Sequence, residues 1–412
     1  MTLASPCLMA LRAETEKQHR RGTHRTVPPA QTLARLTALM PAIGITRLAN
    51  LTGLDRIGLP VTMACRPNAR SLVVAQGKGL DLAAAGASAL MEAAELYHAE
   101  HIEQPLKLGG QAELAPTHDF ADLARLPRIS DRFHPDLVML WIEGDELVSG
   151  SSRWVPFEMV RANYTLPPPP GSGCFECSSN GLGAGNSMGE ALCHAICELI
   201  ERDATTLWNA RPDRRADTGL DPDSIDDPAC REVLAQLQRA GFGITLWETT
   251  SDIGVPSFFC LLTDRRDPLH HHGIGAGTHP SPGIALMRAL TEAVQVRMTY
   301  ISGARDDLSP AEFTARHRAE RAAEADALRA AHHPRRDFAA IADQAQDSFA
   351  GDLEWLLERL QATGMNEVVA VDLSRPQLGL PVVRVVIPGL EGPDDHAAYR
   401  PGRRALAMEQ AQ

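Results

Sequence analysis

The stretch Asn180-Gly-Leu-Gly-Ala-Gly-Asn186, followed by Cys193-His-Ala-Ile-Cys-Glu198-Leu-Ile-Glu201-Arg202, governs the reading of the whole chain. It joins a glycine-rich turn to a helix-forming run. Residues three apart on a helix share a face, so Glu198 and Glu201 present their oxygens together. Two other segments follow the same plan. Gln76-Gly-Lys-Gly-Leu80 precedes Ala87-Ser-Ala-Leu-Met-Glu92-Ala-Ala-Glu95, and Gly273-Ile-Gly-Ala-Gly277 precedes Met287-Arg-Ala-Leu-Thr-Glu292-Ala-Val-Gln295. The interval from Gly79 to Glu92 equals that from Gly185 to Glu198. An internal repeat of strand, glycine turn and helix is therefore expected.

Around these segments the chain alternates between the two periodicities. Residues 31–40 and 81–101 repeat their apolar positions at helical spacing, whereas 45–49, 61–65, 71–75 and 136–147 read as strands. The proline and glycine break at 167–173 reads as a loop within one domain, because the related segments lie on both sides of it. Two Ala/Arg/Glu-rich helices are expected at 310–331 and 338–362, forming a solvated hairpin on the outside. Residues 367–373 and 382–387 read as closing strands. The expected layout is an N-terminal segment (1–60), a core (61–308), the helical hairpin (309–364) and closing strands with a tail (365–412).

The 412 residues are 44% hydrophobic and 22% charged, the composition of a globular protein with a sizeable core. A formal net charge of −12 removes the positive field that nucleic-acid phosphates require, so no nucleic-acid partner is expected. The sequence has no run of 18 apolar residues, and its first 30 residues lack a long apolar signal core, so a cytoplasmic protein without a membrane span is expected. Eight scattered cysteines then read as reduced thiols. Lysine occurs only at 17, 78 and 107, and Lys78 stands out between two glycines.

The three paired positions, Glu92/Glu95, Glu198/Glu201 and Glu292/Gln295, offer oxygen ligands of the kind a hard divalent cation takes. Mg²⁺ commonly joins such carboxylates to nucleotide phosphates. Their neighbours are mostly apolar, which places the carboxylates on buried helices, where they require charge compensation. Glycine turns allow backbone N–H groups to approach phosphate oxygens. None of the three matches the P-loop or the dinucleotide fingerprint. The residues alone therefore indicate a nucleoside triphosphate site of unassigned type, with ATP and Mg²⁺ expected in a pocket walled by the three helices.

Gly22-Thr-His-Arg-Thr26, Gly44-Ile-Thr-Arg47, Gln76-Gly-Lys-Gly79, Ser88-x-x-x-Glu92-x-x-Glu95, Ser179-Asn-Gly-Leu-Gly-Ala-Gly-Asn186, Glu198-Leu-Ile-Glu-Arg-Asp203, Glu292-x-x-Gln295 and Ser302-Gly-Ala-Arg-Asp-Asp307 together resemble the YcaO family. Members use ATP to activate backbone amides of peptides, and the resemblance covers about residues 22–390. It implies an α+β fold of mixed or antiparallel sheets flanked by helices. It also implies Glu92, Glu95, Glu198 and Glu201 as Mg²⁺ ligands, to which the paired spacing adds Glu292, and Arg25, Thr32, Ser88, Asn186, Glu190 and Arg202 at the nucleotide; the rarity of Lys78 and its place between glycines read either as a phosphate contact there or as a surface lysine. Glu201, Arg202 and Gln295 would act in the phosphoryl-transfer step. Two departures, Ala195 where many members carry Ser and the small residue Gly183, remove no charged ligand.

The azoline-forming branch of the family ends in Pro-x-Pro-x-Pro, which this sequence lacks at 400–412. Gly22-Thr-His-Arg25, Gly53-Leu-Asp-Arg56 and Pro381-Val-Val-Arg-Val-Val-Ile-Pro-Gly389 look instead like the stand-alone branch that works with a TfuA protein and a sulfide source to make peptide thioamides. The resemblance, together with apolar strands at 382–387 that need cover, implies a homodimer. Azoline formation, and a catalytically silent peptide-binding scaffold of the same fold, stay open as alternatives.

Four further groups have blander readings. Cys174-x-x-Cys177 lacks the second pair that a closed zinc site needs. Cys193 and Cys197 read as core packing. His270-His271-His272 reads as a solvent-exposed loop, and Arg305-Asp306-Asp307 reads equally as a helix-terminal ion pair or as a wall of the substrate end.

Overall fold

A computed structural model describes residues 5–13, 15–267, 271–394 and 398–410. The helices in chain order are α1 (Pro6–Ala10), α2 (Pro29–Leu39), α3 (Leu82–Glu100), the single turns α4 (Gln111–Leu114) and α5 (Phe157–Val160), α6 (Met188–Asn209), α7 (Pro228–Arg239), α8 (Pro282–Ser302), α9 (Ala315–Ala330), α10 (Phe349–Ala362) and α11 (Arg403–Gln410). The strands are β1 (Arg47–Asn50), β2 (Val61–Cys65), β3 (Val74–Lys78), β4 (Leu106–Gly109), β5 (Met139–Glu146), β6 (Ser152–Pro156), β7 (Leu182–Ala184), β8 (Phe242–Glu248), β9 (Ser257–Asp264), β10 (Gly273–Thr278), β11 (Val369–Asp372) and β12 (Val382–Val386). All named strand pairs are antiparallel, so the chain is α+β. No helix among the described residues is long and apolar enough to cross a membrane.

The chain divides into two compact units. The first comprises residues 1–17, 94–210 and 346–412, and the second residues 18–93 and 211–345. In the first unit the strands run in the order β4-β5-β11-β12-β7, with β6 on β5, and α6 packs on β7 and β12. Ser187 starts α6 by accepting the Glu190 N–H at 3.2 Å. In the second unit β1-β2-β3 and β10-β9-β8 form two sheets, and α8 packs chiefly along β10. Pro282 opens α8, and Gly303 closes it at φ 57°, a left-handed conformation that favours glycine. Leu246, Phe258 and Leu262 of the second sheet meet Ala289, Leu290 and Val294 of α8 in the core of that unit.

Three expectations change. First, the glycine runs are strand rather than turn. Gly77 lies in β3, Gly183 in β7 and Gly275 in β10. A methyl group on Gly77 would overlap the backbone of Ala85 and Ala89, and one on Gly275 would overlap that of Ala289 and Ala293. These glycines are thus filled by helix backbone instead of facing phosphate. Second, β12 is an inner strand between β11 and β7, with each of its residues buried, so the argument for a second copy covering an exposed strand fails. Third, the second expected outer helix starts only at Phe349, capped by Ser348. The preceding backbone is engaged elsewhere, Gln344 N–H on the Pro280 carbonyl at 3.0 Å and Gln346 N–H on Asp352 at 2.8 Å. Leu353, Leu356 and Leu360 of α10 are fully buried, and the helix packs on α6. On α9, by contrast, Ala325 alone is buried. Lys17 is likewise interior and pairs with Asp352 at 2.5 Å.

Candidate functional site

Helices α3, α6 and α8 are largely buried, and each keeps one half-buried stripe at helical spacing. On α3 it holds Ser88, Glu92 and Glu95; on α6, His194, Glu198 and Arg202; on α8, Arg288, Glu292 and Gln295. Almost every side chain expected at the site on these helices therefore lies on such a stripe, with the more deeply buried Glu201 (3% exposed) beside the one on α6. His194 and Arg288 were not anticipated. Each stands one helical turn before an expected carboxylate, and that four-residue interval is the signal that would have found them.

In the first unit, Asn186 Nδ2 donates to both carboxylate oxygens of Glu190, at 3.1 and 3.3 Å, at the start of α6. Glu95 Oε1 accepts the Ala184 N–H of β7 at 2.7 Å. Arg202 stands 3.9 Å from Glu198. Arg384 of β12 is fully enclosed and donates to the carbonyls of Met159 (2.7 Å), Asn180 (2.8 Å) and Ser178, which fixes the strand entering β7. Burial pulls its guanidinium pKa down, and the nearby Tyr164, Cys177, Glu198 and Glu176 oppose that.

The second unit holds Arg25, Thr32, Lys78, Ser88, Glu92, Glu292 and Gln295. Arg25 exchanges backbone hydrogen bonds with His19, and Thr32 is buried within α2. Lys78 Nζ meets Glu292 Oε2 at 3.2 Å, and Gln295 Nε2 donates to the Gln76 carbonyl at 3.1 Å. Arg305 is held charged first by its hydrogen bond to Asp307 and further by the fields of Asp307 and Glu92. Asp306 instead accepts the Val73 N–H at 3.3 Å. That motif is an ion pair together with a backbone clasp.

The remaining groups are settled by burial. Cys174 and Cys177 donate to the carbonyls of Gly171 and Arg161, and burial raises both thiol pKa values, so neither is an activated thiolate. Cys193 is buried and donates to the Phe349 carbonyl at 3.5 Å, as core packing requires. His270 lies outside the described residues. His271 is no solvent-exposed residue. It stacks on Tyr300 with ring centroids 4.5 Å apart, and burial lowers the pKa of His272 to about 4.

The carboxylates of α6 form an all-oxygen donor set, half-buried at Glu198 and buried at Glu201, with a guanidinium one turn on. This set fits a hard cation carrying anionic oxygens. The side chains that would hold Mg²⁺ there are Glu198 and Glu201.

The profile of a family described as YcaO cyclodehydratase, ATP- and Mg²⁺-binding, matches residues 76–391. An uncharacterized protein in the tfuA 3′ region of Rhizobium leguminosarum bv. trifolii is 38% identical over 389 residues, covering 89% of this chain and 88% of that protein. An uncharacterized protein of Methanothermobacter thermautotrophicus is 36% identical over 378 residues, covering 89% of this chain and 95% of its own length. Among solved structures, YcaO from Methanopyrus kandleri bound with AMPPCP and Mg²⁺ superimposes with a TM-score of 0.73 at 24% identity, covering 92% of this chain and 95% of that one. A heterocyclase in complex with substrate and cofactor gives a TM-score of 0.73 at 23% identity over 94% of this chain, which spans 56% of that longer chain.

Proposed function

This chain belongs to the YcaO family, which binds ATP and Mg²⁺, and we propose that it activates a peptide backbone amide for exchange of the amide oxygen by sulfur. Glu198 and Arg202 on the half-buried stripe of α6, with the buried Glu201 beside them, carry the ATP-dependent part of this reading. The relative in the tfuA 3′ region supports the sulfur branch and a TfuA-like partner.

The chemistry follows from a leaving-group problem. Sulfide adds to the amide carbon and forms a C–S bond, and the oxygen becomes an anion that would otherwise collapse back. The oxygen takes the γ-phosphoryl group of ATP, releasing ADP, and the C–O bond then breaks with phosphate departing as the sulfur closes C=S and gives its proton to solvent. Glu198 and Glu201 fix the charge that faces the phosphates, and Arg202 offers a planar fork of donors to their oxygens. Glu201 is buried, which strengthens the electrostatic interactions of its own carboxylate. No side chain is required as a covalent nucleophile.

The test combines the protein, ATP, a TfuA-like partner, sulfide and a candidate precursor or housekeeping peptide. The expected product carries sulfur in place of one oxygen by mass spectrometry. A product lighter by one water, formed without sulfide, would identify the azoline-forming reading that the family's cyclodehydratase description favours. Peptide binding without ADP release would identify a silent scaffold.

A further inference from the structure

An extended strand turns successive side chains to opposite faces. On β3 this separates two kinds of contact. Gly77 admits the backbone of α3, whereas Gln76 and Lys78 turn the other way and meet α8. There the bonding is a short polar zipper. Lys78 Nζ reaches Glu292 Oε2 at 3.2 Å, Gln295 Nε2 reaches the Gln76 carbonyl at 3.1 Å, and Thr299 Oγ1 reaches Gln76 Oε1 at 2.7 Å. Gln76 is 4% exposed, and its Nε2 meets no acceptor among the described residues. A buried amide donor left without an acceptor calls for one from outside the chain. Lys78 and Glu292, at 23% and 22% side-chain exposure, are open enough to be reached.

We propose that Glu292 is the positioning residue of Lys78 and no ligand of Mg²⁺, and that Lys78 with the Gln76 amide forms an anion-contacting edge of β3 for a phosphate oxygen of the nucleotide. This deepens the ATP-dependent reading and rests on it. The charge argument is direct. The Glu292 carboxylate already neutralises the ammonium 3.2 Å from its Oε2, so an ion on that oxygen would have to share it with Lys78. A compact ammonium held by one carboxylate keeps donors for a further anionic oxygen. The same zipper aligns Gln295 with the strand, so that its amide acts through β3.

The test uses the full-length protein and the variants K78M, K78R, E292Q and K78M/E292Q, with ATP binding measured by calorimetry across a Mg²⁺ series and thermal midpoints as the folding control. K78M should weaken ATP binding about tenfold or more, and E292Q roughly threefold to fivefold, at parental thermal midpoints. In the K78M background, E292Q should add less than about twofold, because its partner is already gone. The Mg²⁺ half-saturation should stay within about twofold in E292Q, and K78R should recover most of the loss, since a cation is restored. A rise in Mg²⁺ half-saturation of about tenfold in E292Q would make Glu292 a metal ligand and overturn the assignment. Independent losses in the double variant would overturn it as well. A parental protein that binds no ATP at all would sink the ATP-dependent reading itself, a result distinguishable from either.

Discussion

Helices α6 and α8 carry the same kind of sequence signal, an oxygen-bearing pair three residues apart in an apolar run, yet they are fastened differently. Helix α6 is held through its other side. Arg404 of α11 donates to Asp203 at 2.8 and 2.9 Å, the Glu391 N–H reaches the same carboxylate at 2.9 Å, and Thr206 bonds the Gly392 carbonyl at 2.8 Å. Helix α8 is held through the very face that carries its candidates, Glu292 to Lys78 and Gln295 to Gln76. Paired carboxylates thus acquire their role from what lies opposite them. On α6 the fastening includes Asp203 and Thr206, which lie off the face of the paired glutamates, and on α8 it includes the pair itself.

The comparison is tested most severely at the glutamates. Glu201→Gln should lower peptide-dependent phosphate release by about 10⁴-fold, roughly 5 kcal/mol in the transition state, while Glu292→Gln falls far short of that. Equal losses in the two variants would erase the distinction between the helices. The next effect concerns how α6 is held. Arg404→Met strands the fully buried Asp203 without its cation, which should cost about 4 kcal/mol in urea unfolding. Asp203→Asn combined with Arg404→Met should recover part of that loss.

Close packing supplies the third test. Gly275→Ala drives a methyl group into the backbone of α8 and should cost about 3 kcal/mol. A neutral result would mean that strand and helix can separate there. The smallest effect is acidic. The His272 pKa is lowered from 6.5 to about 4, so the unfolded chain takes up the proton first. The stability present above pH 6.5 is lost as pH falls toward 4. The loss should approach about 2 kcal/mol after allowance for partial exposure, and His272→Gln should flatten the profile between those limits. Unfolding midpoints at pH 7 and 4.5 decide it.

What was legible in advance follows the range of the interactions. The helix expected at 81–101 is observed as Leu82–Glu100, and the stripes that hold Glu92 with Glu95 and Glu292 with Gln295 were readable because helical periodicity is local. The core placement of Cys193 was equally plain from its apolar neighbours. The glycine runs read as turns and are strand, and what fills the space above a strand glycine is not local. Gly77 and Gly275 suit a phosphate or a helix backbone equally well in sequence, and packing chose the helix.

The sequence by itself determined the α+β class, the three oxygen-bearing helices and the kinship with ATP- and Mg²⁺-binding enzymes, since propensity, spacing and motif identity are written within a few tens of residues. Only the tertiary structure decided that 382–387 lies inside a sheet, that α10 packs while α9 stays exposed, and that Lys17 is buried against Asp352. It also decided that Lys78 belongs to Glu292, a residue 214 positions away. Such pairings depend on which surfaces close over one another, and a charged or small side chain carries no local mark of the partner that burial will assign it.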